Sequence, residues 1–146
     1  MTKPKIAVAA DHGGYELKEA VKAALNEKNY ETVDLGTFNE ASVDYPVYGH
    51  KLARYIAGGG AEKGVAVCGT GMGIAIAANK VRGIRCCVVV SDDYARLAAG
   101  HNNANIIALG GRFTNPEDAI RYVDIWLNTK FEGGRHERRV EELNEM

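Results

Sequence analysis

Along this chain short apolar runs alternate with stretches in which apolar residues recur every three or four positions, a pattern that predicts strands alternating with amphipathic helices. Lys5 to Ala10 is small and apolar, which fits a buried strand, and Asp11-His12-Gly13-Gly14 breaks it. From Tyr15 to Asn29 the residues Leu17, Ala20, Val21, Ala24 and Leu25 mark one helical face, with Lys18, Glu19, Lys22 and Glu27 largely off it. Tyr30 to Leu35 predicts a second strand with Val33 and Leu35 on one face, and Gly36 to Asp44 a polar loop. Tyr45-Pro46 opens the next helix with Asp44 as its N-cap, and Gly58-Gly59-Gly60 ends it.

The third strand, Val65 to Cys68, leads straight into Gly69-Thr70-Gly71-Met72-Gly73 and a helix that opens inside this turn and reaches Lys80. Arg85 to Val90 is a nearly continuous apolar run, which predicts a strand covered on both faces. Ser91-Asp92-Asp93 starts a helix to about Gly100. Ile106 to Leu109 is a fifth strand closed by Gly110-Gly111-Arg112, and Thr114-Asn115-Pro116-Glu117 reads as a capping box before a helix to about Asn128. After Gly133-Gly134, the segment from Arg135 to Asn144 reads as a charged helical tail with little apolar surface to hold it to a core.

Five strand–helix alternations predict a three-layer α/β domain over residues 1–146, built on a five-stranded, mostly parallel, doubly wound sheet of Rossmann-like or flavodoxin-like type with a C-terminal helical tail. In such sheets ligands bind beyond the carboxyl ends of the strands. Asp11-His12, Cys68-Gly69-Thr70, Ser91-Asp92 and Gly110-Arg112 all fall there.

Composition narrows the classes. The 146 residues are 46% apolar and 25% charged, and 18 basic against 19 acidic residues leave a net charge of −1, which argues against a dedicated nucleic-acid or membrane surface. Three cysteines make no disulfide framework, and a reduced, cytoplasmic protein is the simplest expectation. No apolar run approaches the ~20 residues of a membrane span, and the first apolar run stops at Asp11-His12, too soon for a signal peptide.

The chemistry concentrates in the turn after the third strand. Glycines at 69, 71 and 73 let backbone amides converge on one point, and the opening turn of a helix adds unpaired N–H groups and about half a positive charge. The turn would cradle an anion. The same positive end favours a thiolate beside it, so Cys68 is a candidate base or nucleophile; the plainer reading is an ordinary strand-to-helix turn ending in a small apolar residue. The turn lacks the Lys-Ser/Thr of a P-loop, and it follows the third strand, where a dinucleotide fingerprint would follow the first.

Other candidates carry two readings each. His12 either supports phosphate binding at a helix N-terminus or caps its turn, and Asp11 either orients a ligand hydroxyl or holds the turn through local hydrogen bonds. His101 either shuttles a proton or complements a helix C-terminus, whereas His50 lies mid-helix as a surface residue. Arg135, Arg138 and Arg139 share a helical side and either grip a phosphate through forked hydrogen bonds or form a solvated charged tail. The histidines and cysteines do not fall into metal-ligand spacings, so no metal is expected.

Taken together, Ala10-Asp11-His12-Gly13-Gly14, Val43-Asp44-Tyr45-Pro46, Cys68-Gly69-Thr70-Gly71-Met72-Gly73, Ala77-Ala78-Asn79-Lys80, His101-Asn102 and Gly133-Gly134-Arg135-His136 resemble the ribose-5-phosphate isomerase B family over nearly the whole chain. The resemblance implies aldose–ketose isomerisation of a phosphosugar without metal or cofactor, by proton transfer between C1 and C2 through a cis-enediolate. It makes Cys68 the base with Thr70 assisting, and the amides of Gly69, Thr70, Gly71, Met72 and Gly73 the oxyanion hole. His101 and Asp11 match the ring-opening positions; His12, Arg135 and Arg139 match phosphate ligands, with Arg112 a further candidate; Tyr45 and Asn102 match substrate-contacting positions. It also implies an obligate homodimer with shared sites, His101 coming from the partner, and dimers that can pair into tetramers. One branch of the family uses a glutamate just after the last glycine of the turn as base; Ile74 stands there, so this chain resembles the cysteine branch. Two rivals remain: a six-carbon isomerase acting on allose 6-phosphate or galactose 6-phosphate, and a non-catalytic sugar-phosphate or nucleotide-binding module.

Overall fold

A computed structural model describes residues 3–146. Its strands are β1 (Ile6–Ala10), β2 (Thr32–Asp34), β3 (Lys63–Cys68), β4 (Cys86–Val88) and β5 (Ile106–Gly110). They alternate with the helices α1 (Tyr15–Glu27), α2 (Tyr45–Ala57), α3 (Met72–Asn79), α4 (Asp92–Gly100) and α5 (Pro116–Asn128), and α6 (Arg135–Asn144) closes the chain. All pairings are parallel, in the order β2-β1-β3-β5-β4. The expected α/β sheet is therefore present, with α1, α4 and α5 covering one face and α2 and α3 the other.

The period-2 alternation of strand side chains sorts the core into two layers. Ile6, Val8, Val65, Val67, Ile107 and Leu109 meet Leu17, Val21 and Leu25 of α1, Ala95 and Ala98 of α4, and Val123 and Trp126 of α5. Ala7, Ala9, Ala66, Cys68 and Ala108 point the other way, against Leu52, Ala53 and Ile56 of α2 and Ile74, Ala75 and Ala78 of α3. Small strand residues on that second face let α2 and α3 pack close, and they put Cys68 beneath the start of α3. Among the described residues no helix is long and apolar enough to cross a membrane.

Trp126 anchors the first layer: it is fully buried, its Nε1 donates to the Ala104 carbonyl at 3.0 Å, and Lys63 Nζ lies 5.0 Å from its ring centroid. Trp126→Ala is expected to cost about 3–5 kcal/mol of stability, the usual range for emptying such a site. Urea unfolding followed by circular dichroism measures it, since the chain's single tryptophan is the residue removed. A loss under about 1 kcal/mol would mean the cavity collapses and the anchor is not one.

Four local expectations need correction. The apolar run from Arg85 to Val90 predicts a strand covered on both faces, yet β4 is a three-residue edge strand with Cys87 and Val88 half-buried and Val90 exposed at 60%. Apolar character reports that a surface seeks cover and does not say whether one chain supplies it. The cap of α5 sits one residue later than the Thr114–Glu117 box: the Asn115 side chain accepts from the Asp118 N–H at 2.8 Å. Asp44 occupies the N-cap position of α2 with extended backbone, but its side chain makes no capping bond. The tail helix α6 is also better held than its composition suggests, through buried His136 and Val140 and through Arg85 Nη1 donating to Asn144 Oδ1 at 2.7 Å.

Candidate active site

Three loops interlock where β1, β3 and β5 end, beside the point at which the chain's crossovers reverse direction. The Asp11 N–H donates to the Val67 carbonyl at 3.2 Å, that of Gly111 to the Cys68 carbonyl at 2.7 Å, and that of Arg112 to the Gly69 carbonyl at 3.0 Å. The approach is tight enough to dictate residue type: a Cβ on Gly14 would stand 2.3 Å from the Val67 carbonyl oxygen.

Gly71 caps α3 with φ of 83°, a left-handed conformation open to glycine, and this turns the chain so that its amide points back at Cys68. The Gly71 N–H donates to Cys68 Sγ at 3.2 Å, and the Met72 N–H to Thr70 Oγ1 at 3.1 Å. Two of the five amides expected in an anion cradle are thus taken by side chains of the turn itself, orienting Cys68 and Thr70. The amide of Gly73, in the first turn of the helix, has no partner among the described residues. Cys68 is buried, at 4% exposure. The other two thiols are poorer candidates: burial pushes those of Cys86 and Cys87 up.

Around the turn stand the partners. Asp11 is buried, and its Oδ1 accepts from the Gly14 N–H at 3.1 Å, which is the turn-holding reading, with its second oxygen left over. His12 Nδ1 receives the Val43 N–H at 3.1 Å and lies 3.2 Å from the Val43 carbonyl oxygen, so the loop holds the ring by one nitrogen and Nε2 remains free. The Arg112 guanidinium lies over the turn, since a Cβ on Gly69 would be 3.1 Å from its Nη1, and the Tyr45 ring lies over Gly73 in the same way at 2.6 Å. This end of the molecule therefore gathers a thiol, a carboxylate, an imidazole, a guanidinium and a phenol around the amino end of α3.

His101, Asn102, Arg135 and Arg139 are elsewhere. His101 is the C-cap of α4, which has run back to the amino end of the sheet, and Arg85 Nε just before β4 donates to the Asn102 carbonyl at 3.2 Å. His101 stacks on His136 of α6 with ring centroids 4.0 Å apart and 17° between planes. At about 3.3 Å per strand residue the five residues of β5 alone put roughly 13 Å between the two ends. The two groups of residues thus lie at opposite ends of the sheet of one chain. The exposed Arg135, Arg138 and Arg139 share the amino-end group, whereas His50 is exposed on α2, as expected.

Sequence reading did not place Glu132 and His136 beside His101, where the structure brings them together. Burial pushes the His136 imidazole down, helped by the positive charge of His101, Arg135 and Arg139, while Glu132 opposes them. His101, Glu132 and His136 also bring three potential metal-ligand atoms within 4.8 Å of one another. The guanidiniums of Arg135 and Arg139 add positive charge beside this group, which works against a cation there.

The family model described as Ribose/Galactose Isomerase matches residues 6–143. The chain is 46% identical to "Ribose-5-phosphate isomerase B" of Escherichia coli (strain K12), over 95% of this chain and 93% of that one. Its structure is similar to that of a ribose 5-phosphate isomerase from Thermotoga maritima, with a TM-score of 0.96 at 49% identity, covering 99% and 100% of the two chains. It is similar also to ribose-5-phosphate isomerase B from Mycoplasma genitalium with bound ribulose-5-phosphate, with a TM-score of 0.91 at 38% identity, covering 97% and 94%.

Proposed function

The chain belongs to the ribose/galactose isomerase family, and on that premise we propose that it interconverts D-ribose 5-phosphate and D-ribulose 5-phosphate, using the half-sites of two subunits. The observation that carries the reading is the Cys68 sulfur held by the Gly71 amide at the open end of α3, among Asp11, His12 and Arg112. Isomerisation moves a proton between C1 and C2 while negative charge builds on the carbonyl oxygen. Cys68, as thiolate, takes the proton from C2 and returns it to C1, with Thr70 beside it assisting. The helix end and the free amides of the turn lower the energy of the enediolate oxygen, a contribution worth about 3 kcal/mol per donor in comparable sites. Nothing in these steps requires a metal or a cofactor.

Phosphate recognition and ring opening call on the second half-site. His12 and Arg112 stand beside Cys68, whereas His101, Asn102, Arg135 and Arg139 lie at the far end of the same sheet, so a homodimer in which each completes the other's site accounts for all of them. The half-exposed edge β4 supports such pairing: Cys87, Val88, Tyr94, Leu97 and Ala98 line an open apolar groove along it. The reading extends to a cytoplasmic enzyme of the pentose phosphate pathway whose dimers can pair further.

The test is formation of ribulose 5-phosphate from ribose 5-phosphate by the purified chain in excess EDTA, beside allose 6-phosphate and galactose 6-phosphate. Activity that survives chelation and prefers the pentose supports the proposal. Activity on a hexose alone keeps the chemistry and changes the substrate, an outcome the family's description leaves room for. Inactivity on all three would favour a binding module.

A further inference from the structure

Glu132 lies in the link between α5 and α6, and its carboxylate is 56% exposed yet engaged twice. Its Oε2 is 3.4 Å from His101 Nε2 and its Oε1 3.8 Å from His136 Nε2. The backbone sets it there: the Glu132 N–H donates to the Gly100 carbonyl at 2.9 Å, and a Cβ on residue 100 would stand 3.0 Å from Glu132 Oε2, so glycine keeps that space open. The two imidazoles it faces stack at 4.0 Å, a separation at which both cannot comfortably be charged. His136, the less exposed ring at 10% against 35%, is the one pushed toward neutrality.

We propose that Glu132 is a positioning residue for His101, seating the imidazole against His136 and compensating the charge it carries while it holds a proton. The inference rests on the isomerase reading above. Ring opening of a cyclic aldose phosphate takes the proton from the anomeric hydroxyl, breaks the bond between C1 and the ring oxygen, and returns a proton to that oxygen, so no proton is gained or lost overall. An imidazole that shuttles the proton passes through its cationic form. A carboxylate 3.4 Å away stabilises that form, and a neutral stacked ring fixes its plane without competing for charge.

The test uses Glu132→Gln, equal in shape and uncharged, in the full-length protein. Ribulose 5-phosphate has no ring, because its C5 oxygen is phosphorylated, so the reverse reaction starts beyond the step that Glu132 supports. Expected is a kcat loss of at least about tenfold on ribose 5-phosphate with KM nearly unchanged, and little loss on ribulose 5-phosphate, part of the deficit returning in Glu132→Asp. In an NMR titration of the histidine rings, His136 should titrate at lower pH in Glu132→Gln, since Glu132 is the group that pulls it upward against His101, Arg135 and Arg139. Equal losses on both sugars, a change confined to KM, or an unmoved His136 titration would overturn the proposal. A wild-type protein inactive on both sugars removes the isomerase reading and this inference with it, a result distinct from either.

Discussion

Cys68→Ala should lower kcat by about 10²–10⁴-fold while leaving the KM for ribose 5-phosphate nearly unchanged. A general base acting at the barrier contributes about 10²–10⁴-fold, and its loss falls on kcat because the thiol makes no contact that holds the phosphate. The substitution removes the acceptor for the Gly71 N–H but leaves the left-handed cap at Gly71 and the small-residue packing around it, so the fold should survive. Circular dichroism and thermal unfolding would check that. Steady-state kinetics with ribose 5-phosphate in excess EDTA decides the matter: a variant that kept normal kcat would show that some other group takes the proton. A decrease in kcat together with a large rise in KM would mean that the turn had lost its shape.

Mixing two crippled variants should restore activity. Cys68→Ala and His101→Asn are each expected to be severely impaired on ribose 5-phosphate, the second because ring opening loses its proton carrier. If each site draws Cys68 from one subunit and His101 from the other, a hybrid dimer contains one doubly impaired site and one intact site. Random reassortment makes about half the dimers hybrids, and half their sites are intact, so about a quarter of wild-type activity should appear on co-refolding or co-expression. Activity that stays at the level of the separate variants would place Cys68 and His101 of one chain in one site, against the roughly 13 Å length of β5 between them. The size of the expected gain, from near nothing to a quarter, makes this the sharper test of subunit sharing.

Much of the architecture is legible in the residues because it depends on local and periodic physics. The span of α6 matches the expected one, that of α5 begins at the expected proline, and the other elements agree to within a few residues, since strand and helix periods differ and glycine or proline marks most ends. The Cys68–Gly73 turn is legible for the same reason: a strand, three spaced glycines and a helix start are all local. The larger misses share one cause: the cover of β4, the hold on α6 and the contacts of Glu132 are set by residues distant in sequence, and no period or spacing reports them.

His101 shows where the division falls. That a histidine ends α4, free either to shuttle a proton or to complement the helix end, can be read from its own neighbourhood, and so can the strand–turn–helix setting of Cys68. That the two stand at opposite ends of the sheet follows only once β4, α4 and β5 are assembled, because a parallel strand and its returning helix carry the chain from one end to the other. Likewise Glu132 meets His101 across 31 positions of sequence only because its N–H binds the Gly100 carbonyl. Backbone preference and apolar periodicity act over a few residues and are written in the chain; the meeting of side chains from different elements depends on packing, which the folded molecule alone resolves.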